Sequence, residues 1–92
     1  MQLIYTNLST DVGNLLPDLE NILKSLETFK TLQIQICFDL DDDYRIFRST
    51  INYYPYETLI PIFLHQLYFF CKCFDLHTED VFSYEIKIYL DK

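Results

Sequence analysis

Two segments of the chain alternate strictly between apolar and polar residues, and this pattern constrains the fold more than any other feature. In residues 32–40, Leu, Ile, Ile, Phe and Leu alternate with Gln, Gln, Cys and Asp, and residues 82–90 show the same alternation. A period of two indicates a strand that buries one face and leaves the other in contact with water. The chain therefore requires a sheet with one covered face.

Two segments with helical spacing can cover that face. In residues 15–29 the apolar side chains recur every three or four positions, which predicts a helix with Pro17 in its first turn. A second helix is predicted over residues 58–74, with Pro61 in its opening turn. The sheet thus has enough apolar helical surface to close a core.

The second predicted helix is apolar around most of its circumference. A helix that lies on a sheet needs an apolar stripe of only about 100°, so the surplus has two explanations. Either the helix is deeply buried between the sheet and the first helix, or a second copy or another partner covers part of it. The homodimer contact expected in the second case consists of Phe63, Tyr68, Phe69 and Phe70.

Further strands predicted at residues 3–8 and 44–54 complete the order β-α-β-β-α-β. We predict an α+β fold, a ferredoxin-like split β-α-β-β-α-β sandwich with a four-stranded antiparallel sheet and two helices on one face. Right-handed crossovers place the strands in the order 4-1-3-2. The chain is expected to form one domain over residues 1–92.

The charge balance favours a protein partner over a nucleic acid. Fourteen acidic residues oppose seven basic ones, giving a net charge of −7, and the basic residues are scattered along the sequence. A phosphate backbone is repelled by such a chain, whereas a basic protein is attracted to it. We therefore predict a basic protein as the partner.

Composition also predicts a reducing, non-membrane environment. Three cysteines cannot pair off completely, and residues 1–5 lack the pattern of a signal peptide, so a cytoplasmic protein with reduced thiols is expected. The longest apolar segment, residues 59–71, is too short and too polar to span a bilayer. The absence of alanine suggests AT-rich coding DNA, as in many bacteria and phages.

The predicted topology gathers the acidic residues at one end of the sheet. The connections after the first strand and the second helix lie at the same end as the hairpin turn. We call this the acidic end, and its acidic residues are Asp11, Asp39, Asp41, Asp42, Asp43, Asp75, Glu79 and Asp80. Together with Tyr44, they are the predicted partner-binding residues. The alternative is that acidic residues simply favour turns and keep a small domain soluble.

No catalytic, cofactor or metal site is predicted. Asp39, Asp41 and Asp43 have the spacing of the first EF-hand ligands, but Tyr44 replaces the required glycine and Thr50 the required glutamate. A weak divalent site at the acidic end remains open as an alternative. With one glycine in the chain there is no phosphate-binding loop, and no carboxylate pair is placed for acid–base catalysis, so an enzyme is not expected.

The cysteines are not placed for shared chemistry. Cys71 and Cys73 point to different sides of the predicted helix and are expected to be buried structural thiols. Cys37 lies on the polar side of its strand and is given no role.

The segment 4–8, Ile-Tyr-Thr-Asn-Leu, resembles the first-strand signature of RNA-recognition-motif domains, which have the predicted topology. The resemblance implies that Tyr5 is a base-stacking aromatic on the open sheet face. The companion signature of that family is absent from residues 44–54, and the net charge opposes RNA binding. Nucleic acid is accordingly not a predicted partner.

The predicted function is a small acidic inhibitor of the immunity-protein or phage-encoded type. It would block a basic target such as a nuclease or another nucleic-acid-handling enzyme. The alternative is a homo-oligomeric structural or regulatory subunit. That subunit would associate through the second helix or through residues 32–38, taken as an edge strand without charges.

Overall fold

The structure, a computed structural model, describes residues 2–26, 28–40, 43–52, 56–77 and 81–91. Its elements are β1 (Gln2–Asp11), α1 (Val12–Lys24), β2 (Thr31–Leu40), β3 (Asp43–Asn52), α2 (Tyr56–Cys73) and β4 (Val81–Asp91). The four strands form one sheet in which every neighbouring pair is antiparallel. The predicted ferredoxin-like α+β fold with the order β-α-β-β-α-β is confirmed.

The predicted strand order 4-1-3-2 is wrong, because the sheet has the order β1-β4-β2-β3. The interior strands, β2 and β4, are the two with strict apolar alternation. On the covered face of β3, by contrast, Arg45 and Ser49 interrupt the apolar residues, and Thr6 does so on β1. Central strands bury more of each side chain, so the most apolar strands occupy the centre.

The second surface predicted for a homo-oligomer is also wrong. Residues 32–38 belong to β2, which pairs with β3 on one side and β4 on the other. Its backbone groups are therefore used within the sheet and cannot pair with another chain. The outer strands are β1 and β3.

The core lies between one sheet face and the two helices. Alternate residues of β2 and β4 are buried there, together with a stripe from each helix, and these include Leu15, Leu19, Leu23, Leu32, Ile34, Ile36, Phe38, Leu59, Phe63, Leu67, Tyr84, Ile86 and Ile88. Tyr84 keeps its hydroxyl satisfied by donating to Asp18 Oδ2 of α1 at 3.2 Å. The opposite sheet face, which we call the open face, carries the alternate polar residues.

Helix α1 starts earlier and ends earlier than the periodicity predicts. It begins at Val12, directly after β1, so Pro17 lies in its second turn and leaves the carbonyl of Gly13 without its usual N–H partner. It ends at Lys24, where the Ser25 hydroxyl donates to the carbonyl oxygen of Ile22. A serine side chain that hydrogen-bonds the backbone of its own helix favours the end of that helix. Phe29 lies beyond this end, and its side chain is nevertheless buried, as the periodicity predicts.

Helix α2 buries one stripe and exposes the rest. Phe63 is fully buried and Phe70 is half-buried, whereas Tyr68 and Phe69 are 68% and 65% exposed. Deep burial of the whole helix is therefore wrong, and Phe63 and Phe70 are core residues. Pro61 lies in the second turn because α2 begins at Tyr56. Within the described ranges, neither helix has the length and apolar character needed to cross a bilayer.

Candidate partner-binding surface

Strand pairing places Asp11, Asp39 and Asp43 of the predicted acidic end at one end of the sheet. Asp11 is opposite Val81 at the start of β4, and Asp39 is opposite both Tyr44 and Ser83. Asp43 starts β3 directly before Tyr44. The acidic end does not depend on the strand order, because each strand keeps the direction predicted for it.

The end of α2 reaches the same place. The Arg45 guanidinium carbon lies 4.8 Å from the centre of the Phe74 ring, which brings the chain at Asp75 next to the start of β3. Asp75 is exposed and has a φ of 54°. The Leu76 N–H binds the Cys71 carbonyl at 2.9 Å and the Asp75 N–H binds the Lys72 carbonyl at 3.2 Å, a Schellman motif. Aspartate tolerates this left-handed position better than most residues other than glycine.

The remaining predicted residues of the acidic end are only partly located. Asp41, Asp42, Glu79 and Asp80 lie outside the described residues. Of Asp11 and Asp43, the structure describes the strand positions and not the side chains. The side chains established at this end are those of Asp39, Tyr44 and Asp75.

Basic side chains also lie at the acidic end, and the sequence interpretation did not place Arg45 there. His77 Nε2 is 3.0 Å from Asp75 Oδ1, and Arg45 lies over Phe74 nearby. Arg45 lies opposite Phe38 and faces the helices. Its position could not be predicted without the strand register. The acidic end is thus a mixed surface on which acidic and basic side chains lie beside each other.

A shallow depression on the open face adjoins the acidic end. Its lining includes Asn7, Cys37, Asp39, Tyr44, Ser83 and Glu85, and it encloses about 210 Å³. This is smaller than the ~300–1,000 Å³ of typical small-molecule sites. The space suits a single side chain of a partner better than a cofactor.

Tyr44 forms one wall of this depression. Its hydroxyl hydrogen-bonds the Cys37 thiol, which raises the pKa of Tyr44 above the ordinary 10.0. Gln35 Nε2 donates to Cys37 Sγ at 3.4 Å. Cys37 is therefore buried despite lying on the open face, because neighbouring side chains cover it.

Tyr5 and Glu85 make a second polar contact on the open face. The Tyr5 hydroxyl donates to Glu85 Oε2, and Lys87 Nζ lies 3.5 Å from Glu85 Oε1. The hydrogen bond from Tyr5, aided by the Lys87 charge, lowers the pKa of Glu85 below its ordinary 4.5. The same bond raises the pKa of Tyr5 above 10.0.

The other cysteines differ from expectation. Cys73 is exposed and Cys71 is half-buried, so the prediction of two buried thiols is wrong for Cys73. Cys73 lies on the solvent side of α2. The sequence does not show which side of α2 is buried, because apolar residues occupy most of its circumference. Burial raises the pKa of the Cys71 thiol. Within the described ranges, no group of three or more His, Cys, Asp or Glu side chains is arranged to hold a metal ion.

Tyr5 lies on the open face and is 53% exposed, as the resemblance to RNA-recognition motifs implies. However, β1 and β3 are the two outer strands, with β4 and β2 between them. The predicted order, by contrast, makes β1 and β3 neighbours.

Comparison with protein-family models, curated proteins and solved structures found no match.

Proposed function

We propose that this chain is a small acidic inhibitor that binds and blocks a basic protein, of the immunity-protein or phage-encoded type. The observation that supports the proposal is the convergence of three separate stretches at one end of the sheet. β1 ends there with Asp11, the β2–β3 pair contributes Asp39 and Asp43, and the turn after α2 contributes Asp75. The proposal places the protein in the cytoplasm of a bacterium that carries such a target.

Carboxylates gathered at one end add to a single field. Such a field raises the rate at which an oppositely charged partner arrives and orients it during approach. Its range is set by the Debye length, about 8 Å at physiological ionic strength. The binding it supports should therefore weaken as salt is added.

The depression beside the acidic end offers a place for one basic side chain. Asp39 and Glu85 carry carboxylates on its lining, and Tyr44 supplies a ring and a hydroxyl. A guanidinium or ammonium group can bind a carboxylate there while its stem lies against the Tyr44 ring. A nuclease or other nucleic-acid-handling enzyme presents such side chains on the surface that binds phosphates, and covering that surface would block it.

The test compares two double variants with equal charge changes at opposite ends of the sheet. Asp39→Asn/Asp75→Asn neutralises the acidic end, and asparagine retains tolerance for the φ of 54° at position 75. Glu20→Gln/Asp91→Asn removes two charges from exposed or half-exposed positions nearer the other end. Immobilised wild-type protein captures partners from an extract of the source cell, and each captured protein is then purified and its Kd measured across salt concentrations.

We expect the captured target to be basic and its activity to be inhibited by the wild type. Asp39→Asn/Asp75→Asn should raise Kd by about tenfold at low salt, with the difference shrinking as salt rises. The matched control should leave Kd nearly unchanged. Equal weakening by both variants, or an affinity that does not respond to salt, would contradict the proposal.

A further inference from the structure

β1 is a long outer strand with one free edge. Its ten residues pair with β4 from Gln2 opposite Leu90 to Asp11 opposite Val81. Within the described residues, no element pairs with its other side. The edge therefore presents a row of unpaired N–H and C=O groups, which is a template for another strand.

The free edge of β1 lacks the usual protection against pairing. Residues 2–10 contain no Lys, Arg, Asp, Glu, Pro or Gly. The other outer strand, β3, carries Arg45 and Arg48. On the open face of β1, Leu3 is 59% exposed and Tyr5 is 53% exposed. Natural sheets place charges, prolines or bulges on edges that must stay single, and residues 2–10 of β1 have neither charge nor proline.

We propose that β1 pairs with β1 of a second copy, in antiparallel orientation, to form a continuous eight-stranded sheet across a two-fold axis. An uncharged strand is self-complementary, because no register of residues 2–10 sets two like charges opposite each other. A basic partner strand is disfavoured at this edge, since no carboxylate lies on residues 2–10 to recognise it. The dimer is thus separate from the proposed inhibitory contact.

The acidic end fixes the orientation of the pair. Asp11 closes β1 at the acidic end, so parallel pairing would set the two acidic ends side by side. Antiparallel pairing places them at opposite ends of the joined sheet, where repulsion is screened. The contact uses the same surface on both copies and closes at the dimer, which leaves both acidic ends accessible.

The experiment uses the full chain and two charge variants. Leu3→Lys/Asn7→Lys places two lysines on the open face of β1, and Thr50→Lys/Asn52→Lys places two on the open face of β3 as the matched control. Mass is measured by light scattering over a wide range of concentration. Hydrogen exchange of the wild type is measured at low and high concentration, and this second measurement needs no variant.

We expect a mass of twice 11.1 kDa at high concentration for the wild type and for the β3 control. Leu3→Lys/Asn7→Lys should raise the dimer Kd by about tenfold or more, because like charges then face each other across the pair. Amide protection in residues 2–11 should rise with concentration while that of β3 stays constant. A wild-type monomer at all concentrations would overturn the proposal.

Two further outcomes would also overturn it. One is a dimer that persists unchanged in Leu3→Lys/Asn7→Lys. The other is a dimer lost on substituting the exposed Tyr68 and Phe69 of α2 by serine, with no concentration-dependent protection in β1, which would place the contact on the helix.

Discussion

The contact between Tyr5 and Glu85 shows what single residues add to a pattern. Alternation in β4 predicts that Glu85 lies on the open face, and the structure confirms this. Alternation cannot predict that Tyr5 of β1 donates to it, because the contact depends on the register that sets Tyr5 opposite Lys87 and Asn7 opposite Glu85. Cys37 illustrates the same difficulty, since its burial on the open face comes from neighbours that only the register identifies.

The Tyr5–Glu85 contact should make stability depend on pH at both extremes. The pKa of Glu85 is lowered on folding, so its contribution is present above the ordinary value of 4.5 and is lost as pH falls through the lower, folded pKa. The pKa of Tyr5 is raised on folding, so its contribution is present below 10.0 and is lost as pH rises through the higher, folded pKa. Tyr5→Phe should therefore be less stable than the wild type near neutral pH, with the gap narrowing at both extremes.

The measurement is the urea midpoint of both proteins across pH. Tyr89→Phe serves as the control, because it removes a hydroxyl from the same face of the neighbouring strand. A gap between wild type and Tyr5→Phe that is constant from acid to alkaline pH would count against the contact.

At the scale of elements, the sequence predicted the type and order of the elements well, and two of the three strand pairs. β1–β4 and β2–β3 are neighbours in both orders, whereas the predicted β1–β3 pair is replaced by β2–β4. The strands β2 and β4 and the buried stripe of α1 follow from periodicity alone. The strand order does not follow from handedness, because in both the predicted and the observed order each crossover passes one intervening strand. The deciding signal was the polarity of the covered face, since Arg45 and Ser49 interrupt the apolar residues there and mark β3 as an outer strand.

Helix α2 has one buried side and one exposed side, and a pair of substitutions tests this assignment. The Phe63 ring lies edge-on to Phe47, with centroids 5.5 Å apart, whereas Phe69 points to solvent. Phe63→Ala should lower the free energy of unfolding by about 3–5 kcal/mol. Phe69→Ala on the same helix should change it by no more than about 0.5 kcal/mol. Denaturant unfolding measures both, and a large cost at Phe69 would mean that its ring is covered in solution.

At the scale of the whole molecule, the separated acidic stretches meet because β1 and β2 end, and β3 and β4 begin, at the same end of the sheet, which α2 also reaches. This convergence could be predicted from the order of the elements along the chain. It holds in the observed strand order as well as in the predicted one, because the strand directions are the same in both. The depression beside it did not follow, because Asn7, Cys37, Tyr44 and Glu85 come from four different strands. Only the register brings those residues together.

The position of β4 at the centre makes the sheet dependent on residues 81–91. Without β4, β1 has no neighbour among the described strands, and β2 and β3 remain as an isolated hairpin. A two-stranded hairpin is marginally stable at best in water. A chain ending at residue 80 should therefore show no cooperative thermal transition by circular dichroism. Adding a peptide of residues 81–92 should restore it, and a cooperative transition in the truncated chain alone would refute this dependence.

The position of β4 between β1 and β2 also determines when the sheet can form during synthesis on the ribosome. β1, β2 and β3 leave the exit tunnel before the strand that joins them, so their edges stay open to chaperones and to other nascent chains until β4 emerges. A premature stop codon anywhere ahead of residue 81 would yield no partial domain. The cell thus obtains either the complete sheet or an unfolded chain for its proteases.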